Sequence, residues 1–253
     1  MLEQLAKAAG RADHRHASQL GWGASLDQHR QGAGAVPGFT EENAHPNHRP
    51  AAEALASGGY DAVVLTEMVE IRDAIRYHDS AEALAHWTVA ARAANPKARV
   101  YLYETWHRLD DAEGWLARID ADLIRAWRDA LMRVAMAQPE VGTIYLIPGG
   151  QILGAAVRAI EAGEVPGLSR REDLFSRDVS GVVDTIHLND LGAYLIALTH
   201  FATLYQQSPE GLPHALLRAD GEVATALPEQ AVLPLQTLVW KVASSYALTG
   251  VAI

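Results

Sequence analysis

Apolar positions along the chain follow two spacings, one typical of strands and one typical of helices. The run at residues 60–65 is apolar apart from Asp61, which predicts a parallel strand covered on both faces. Further strands are predicted at residues 12–20, 99–106 and 142–148. Apolar residues at helical spacing predict helices at residues 2–9, 50–57, 79–94, 112–137, 149–162, 191–205 and 229–247. Residues 27–50 and 163–183 read as irregular segments.

This alternation of strands and helices predicts an α/β protein. Its central sheet would be parallel, with helices on both faces, in a single domain over residues 1–253. Ligands of such sheets bind beyond the carboxyl ends of the strands. Thr66, Glu67 and Trp106 follow two of the predicted strands, so we expect them at that rim. Trp106 would be a pocket wall or a core residue.

Composition and charge exclude several classes of protein. The formal net charge of -10 argues against a nucleic-acid partner held by phosphate contacts. The absence of cysteine excludes disulfides and thiolate nucleophiles. No apolar run reaches the length of a membrane span. No glycine-rich dinucleotide motif or Walker motif is present, so no cofactor is expected, and His14 and His16 are interpreted as exposed residues rather than metal ligands.

The strongest chemical signal is Asp184-Thr-Ile-His187, which precedes a predicted helix. One short turn can aim this carboxylate and this imidazole at the same point. A carboxylate fixes the tautomer of a neighbouring imidazole and stabilises its protonated form, which a general base requires. We therefore interpret His187 as the general base and Asp184 as the residue that orients it.

These residues resemble the last sequence block of the SGNH (GDSL-like) hydrolases, in which Asp-x-x-His is followed by Asn and Gly, here Asn189 and Gly192. The resemblance implies a three-layer α/β/α, flavodoxin-like fold and serine esterase activity. Gly23 matches the glycine whose amide helps to form the oxyanion hole. Thr66-Glu67 stands where the family usually has an asparagine, and an ionised glutamate accepts hydrogen bonds but donates none.

The first block of that family is a hydrophobic strand ending in Gly-Asp-Ser-Leu, whose serine is the nucleophile. The sequence opens instead at what resembles the following helix, so we expect the nucleophile strand to precede Met1 and this chain to be inactive without it. Ser25, within Gly23-Ala-Ser-Leu26, is the alternative nucleophile. A third possibility is a domain that has lost catalysis.

The sequence therefore predicts an SGNH-like esterase that acts on a small polar or carbohydrate ester. The alternative is a non-catalytic domain of the same fold that binds a carbohydrate or a partner. A cytoplasmic location is expected if Met1 is the native start, and an exported or periplasmic one if a signal peptide precedes it. Neither the acyl group nor the oligomeric state follows from the sequence.

Overall fold

A computed structural model describes residues 1–251. The α-helices are α1 (Leu2–Ala8), α2 (Leu26–Gln31), α3 (Phe39–Glu42), α4 (Ala51–Ala56), α5 (Ile71–Tyr77), α6 (Ser80–Ala94), α7 (Trp115–Asp122), α8 (Arg133–Met136), α9 (Gly149–Glu161), α10 (Asp190–Tyr205) and α11 (Glu229–Ser245). The strands are β1 (Ala62–Thr66), β2 (Arg99–Glu104), β3 (Ile144–Pro148), β4 (Phe175–Arg177) and β5 (Val183–Leu188). The α/β class predicted from the sequence is confirmed.

A parallel three-stranded sheet has the order β1-β2-β3. Its first pairing runs from Ala62 opposite Arg99 to Thr66 opposite Tyr103. Strands β2 and β3 are well covered, with Val100 and Leu102 of β2 and Leu146 and Ile147 of β3 fully buried. Side chains on both faces of these strands are therefore shielded from solvent, as in a parallel sheet covered by helices.

The prediction that β1 is covered on both faces is wrong. Its residues alternate between exposed and partly buried, and Val64 is 39% exposed. The reason is its position, because β1 lies at an edge of the sheet and only β2 pairs with it within residues 1–251. An apolar strand sequence does not reveal how many neighbours the strand has.

The chain forms two compact units. The first contains residues 1–15, residues 106–119 and the chain from residue 147 onwards, and the second contains residues 16–105 and 120–146. The first unit is mainly helical: α1, α9, α10 and α11 pack around fully buried side chains that include Leu153, Leu198, Phe201 and Leu235. The second unit holds the parallel sheet, apart from the last two residues of β3. Every helix described in residues 1–251 is too short or too polar to span a bilayer.

The predicted strand at residues 12–20 is not formed. The backbone there makes one isolated bridge, between Ser18 and His48, and Ser18 exchanges backbone hydrogen bonds with Asn47 and Arg49. The predicted loop at 27–50 instead contains α2, a 3₁₀ turn at Ala33–Ala35 and α3. Helix α5 was not predicted either. Short helices are set by local caps and by packing, which leave little periodic signal.

The long predicted helix at 112–137 is formed, but its centre is not an α-helix. Residues Leu123–Met132 form a π-helix between α7 and α8. Leu123, Trp127 and Leu131 recur every fourth residue and are all buried. These buried positions form one apolar side of the π-helix.

Candidate active site

Asp184 and His187 lie on β5 of the first unit, in a bulge of its hairpin with β4. The pairing joins Phe175 to Leu188 and Arg177 to Val183. One β4 residue, Ser176, therefore stands opposite the four residues from Asp184 to His187. The sequence predicted an irregular segment at 163–183 followed by a turn, whereas the structure has the strand β5 with a bulge at residues 184–187. Bulges redirect side chains away from the regular alternation of a strand.

The bulge is held by the carboxylate of Asp184. Its Oδ1 accepts hydrogen bonds from the backbone N–H groups of Ile186 at 2.8 Å and His187 at 2.9 Å. Its Oδ2 lies 2.8 Å from Nδ1 of His187. One carboxylate thus fixes both the backbone turn and the imidazole of the residue three positions later. The predicted pair is formed.

This geometry defines the tautomer of His187. The carboxylate accepts a hydrogen bond from Nδ1–H, so Nε2 of the neutral ring carries the free lone pair. The His187 side chain is 77% exposed, and no residue in 1–251 hydrogen-bonds to Nε2. The ring is therefore oriented and accessible, as a general base must be.

Asp184 is ionised at neutral pH. The pKa of its carboxyl is lowered to about 2, first by the backbone N–H groups of His187 and Ile186 and then by the imidazole of His187. A carboxylate that accepts several hydrogen bonds strongly resists protonation. It can therefore stabilise a positive charge that develops on the imidazole.

Two residues that follow β2 in sequence anchor the other side of the bulge. The indole N–H of Trp106 donates to the carbonyl oxygen of Ile186 at 2.8 Å, and the backbone N–H of Leu109 donates to that of Thr185 at 2.8 Å. Trp106 was predicted as pocket wall or core. Its observed contact makes it a support for the Asp184–His187 pair.

Arg108 and Asp110 form an ion pair that the sequence did not predict. Nε of Arg108 is 3.1 Å from Oδ1 of Asp110, and both side chains are more than half exposed. Hydrogen bonding to Asp110 raises the pKa of Arg108, and the negative charge of Asp184 also contributes. The positive charge of this guanidinium is thus within electrostatic range of the Asp184 carboxylate. Nothing in a lone Arg-Leu-Asp sequence could have identified it.

Asn189 and Gly192 have clear structural roles after the pair. Asn189 caps α10: its Oδ1 accepts from the N–H groups of Leu191 and Gly192, and its Nδ2 donates to the carbonyl oxygen of Asp173. A Cβ on Gly192 would lie 2.5 Å from the carbonyl oxygen of Leu174. The amide and the absent side chain therefore fix the start of α10 against the segment before β4.

The other predicted site residues lie in the second unit. Ser25 is fully buried and caps α2, where its Oγ accepts from the N–H of Gln28 and its N–H donates to the Gln28 side chain. Gly23 is exposed and has a φ of 55°, in the left-handed region that glycine adopts readily. The capping box Ser25-x-x-Gln28 is a sequence signal for the start of α2, within the segment that was predicted to be irregular.

Glu67 joins the end of β1 to the start of α2. Its carboxylate accepts from the backbone N–H of Leu26 at 3.3 Å and from that of Met68 at 3.1 Å, and the residue is 3% exposed. Burial raises its pKa. Thr66 donates its hydroxyl to the carbonyl oxygen of Tyr103 at 3.0 Å. The predicted third-block residues are therefore already engaged within the second unit.

Two cavities adjoin β4 in the first unit, with volumes of about 430 and 390 Å³. Arg177, Asn189 and Leu191 line both of them. Neither is lined by Asp184 or His187. Within residues 1–251, no group of three or more His, Asp or Glu side chains is arranged to hold a metal ion.

Comparison with known protein families, with curated proteins and with solved structures finds no match to this chain.

Proposed function

We propose that the protein is an SGNH-like acyl hydrolase in which His187 is the general base and Asp184 orients it. The observation that carries the proposal is the 2.8 Å contact between Nδ1 of His187 and Oδ2 of Asp184, with Nε2 left free. A pair of this kind on a rigid, self-capped bulge is suited to proton transfer to and from a substrate oxygen.

Two features of the fold support the family resemblance. The three-stranded sheet of β1, β2 and β3 is parallel. Asn189 and Gly192 follow the Asp184–His187 pair and set the start of α10. Within residues 1–251 only β2 pairs with β1, so its other edge would accept a further parallel strand, and β1 would then become an internal strand of a larger flavodoxin-like sheet.

The reaction would proceed through an ester of the enzyme. Nε2 of His187 takes the proton of a serine hydroxyl as its oxygen attacks the ester carbonyl, and the imidazolium then gives that proton to the departing alcohol. In the second half, water attacks the acyl-enzyme as the same nitrogen takes its proton, and the imidazolium then returns that proton to the serine oxygen as the acid is released. Asp184 remains ionised throughout and stabilises the imidazolium.

The nucleophile has two candidates. One is the serine of the strand that the family carries before its first helix. The other is Ser25, whose Oγ caps α2 by accepting a hydrogen bond from the N–H of Gln28. Gly23 remains the oxyanion donor that the resemblance assigns. The substrate class is a small polar or carbohydrate ester.

The test is ester hydrolysis by matched variants, measured with p-nitrophenyl acetate and a panel of acetylated sugars. His187→Ala and Asp184→Asn should each lower the rate by about 10²–10⁴-fold, because the base or its orientation is lost. His214→Ala is the matched control: His214 also contacts a carboxylate, that of Glu229 at 3.2 Å, and its loss should leave the rate unchanged.

A fluorophosphonate probe followed by mass spectrometry identifies the nucleophile. Labelling of Ser25 that disappears in Ser25→Ala would assign it. Labelling that requires additional residues before Met1 would assign the family strand. A measurable rate of hydrolysis that is equal in the parent protein and the His187→Ala variant, or a probe that labels no serine with or without those additional residues, would contradict the proposal and favour the non-catalytic alternative.

A further inference from the structure

Trp22 of the second unit is exposed and yet firmly held. It is 58% exposed, although a tryptophan is usually among the best buried of large side chains. Its indole N–H donates to Oε1 of Glu42 at 2.6 Å, and its backbone N–H donates to the carbonyl oxygen of Pro37 at 2.8 Å. The ring therefore has a defined position without being part of a core.

Gly38 lies against one face of this indole. A Cβ on Gly38 would fall within 2.2–2.7 Å of Cγ, Cδ2 and Cε2 of Trp22, three atoms of the five-membered ring. Contact with three ring atoms at once places Gly38 over the ring rather than at its edge. Its φ of 64° is in the left-handed region, so both the conformation and the close approach require glycine.

The backbone beneath the ring is clamped as well. Asn43 accepts a hydrogen bond from the N–H of Leu20 and donates one to the carbonyl oxygen of the same residue, both at 2.9 Å. Leu20 is itself 43% exposed and lies two residues from Trp22. Trp22 and Leu20 are thus neighbouring exposed apolar side chains on a backbone that hydrogen bonds hold in place.

The charges around the indole select the kind of ligand. On α3, Glu41 is exposed and Glu42 is half-buried, and Glu42 meets the ring at its N–H edge, not over its face. Two carboxylates disfavour phosphates and other anions. They accept hydrogen bonds from hydroxyl groups, while the open ring face offers an apolar plane. A neutral sugar ring has both features, an apolar C–H face and hydroxyl groups around its edge.

We propose that Trp22 is the stacking platform of a binding site for a neutral carbohydrate, with Glu42 and Glu41 as acceptors for its hydroxyl groups. Because the ring is already fixed by Gly38 and Glu42, binding orders little of the protein. The site lies wholly in the second unit and does not depend on the proposed hydrolysis.

The experiment follows the indole N–H signals of the six tryptophans by NMR during titration with cellotetraose, xylotetraose and chitotetraose. The Trp22 signal is assigned by its absence from Trp22→Phe. We expect it to shift with at least one neutral oligosaccharide at a Kd of about 0.1–5 mM, while the other five signals stay in place. Trp22→Ala should weaken the binding at least about tenfold, and Trp22→Phe less, because phenylalanine keeps a ring face.

Three controls isolate the platform. Tyr77→Ala removes an aromatic ring of similar exposure, 63%, from α5 and should leave binding unchanged. His187→Ala should also leave it unchanged, so that failure of this proposal and failure of the hydrolase proposal are separable. The unshifted indole signals verify that each variant is folded. No shift with any neutral sugar up to about 20 mM, a shift with tetramethylammonium alone, or a shift on protein dilution alone would overturn the proposal.

Discussion

Asp184 has two roles that its sequence context does not separate. It caps the N–H groups of Ile186 and His187, and it orients the imidazole of His187. The spacing of three residues is what allows both, because the turn that the carboxylate caps also brings the imidazole back toward it. The sequence was therefore sufficient to predict the pair, although it did not predict the bulge that carries it.

Glu67 is a buried carboxyl group of the second unit that accepts hydrogen bonds from two backbone N–H groups. Glu67→Ala should lower the free energy of unfolding by about 1–3 kcal/mol, because the N–H groups of Leu26 and Met68 lose their acceptor. Glu53→Ala, on the exposed side of α4, is the control and should change it by less than about 0.5 kcal/mol. Urea unfolding followed by circular dichroism measures both.

The effect of Glu67 should also depend on pH. Burial raises its pKa in the folded state above the ordinary value, so the folded protein retains this proton to a higher pH than the unfolded chain does. This contribution is complete below the unfolded pKa and is lost as pH rises through the folded pKa. The difference between the parent protein and Glu67→Ala should therefore be larger at about pH 4 than at about pH 8. An equal difference at both pH values would contradict it.

At the scale of elements, the start of α10 positions the candidate base. Asn189 supplies the cap, and Gly192 allows the helix to approach the carbonyl oxygen of Leu174 closely. Asn189 directly connects Leu188, the last residue of β5, to α10. A displacement of the helix would therefore displace the bulge that holds His187.

Replacing Gly192 tests this close approach. Gly192→Ala should lower the free energy of unfolding by about 1–3 kcal/mol, because its Cβ would lie 2.5 Å from a backbone oxygen. Gly154→Ala in α9 is the matched helical control. Its Cβ would approach side-chain atoms of Arg158 and Ile119 no closer than 3.2 Å, so the gain in helix propensity should leave stability equal or higher. Thermal unfolding of both variants measures the contrast, and equal effects would contradict it.

At the scale of the whole molecule, neither unit is one continuous stretch of sequence. The second unit takes residues 120–146 from beyond a segment of the first. Those residues supply the whole π-helix Leu123–Met132 and the beginning of β3. The prediction of a single domain could not include this arrangement, because no linker or change in composition marks it.

A pair of fragments tests the arrangement. Residues 16–105 lack β3 and the buried Trp127 and Leu131, so we expect no cooperative unfolding transition from them. Residues 16–146 contain the whole second unit and should show one. Circular dichroism during urea titration distinguishes the two, and a cooperative transition in the shorter fragment would contradict the assignment.

The sequence by itself determined the α/β class, the positions of the strands β1, β2 and β3, the long helices and the Asp184–His187 pair. Each depends on local spacing, since periodic burial and a three-residue turn are properties of neighbouring residues. Tertiary structure alone decided that β1 is an edge strand, that Trp106 supports the bulge and that Trp22 stays exposed on Gly38. These features depend on partners that are distant in sequence, and the spacing of apolar residues along the chain contains no information about such partners.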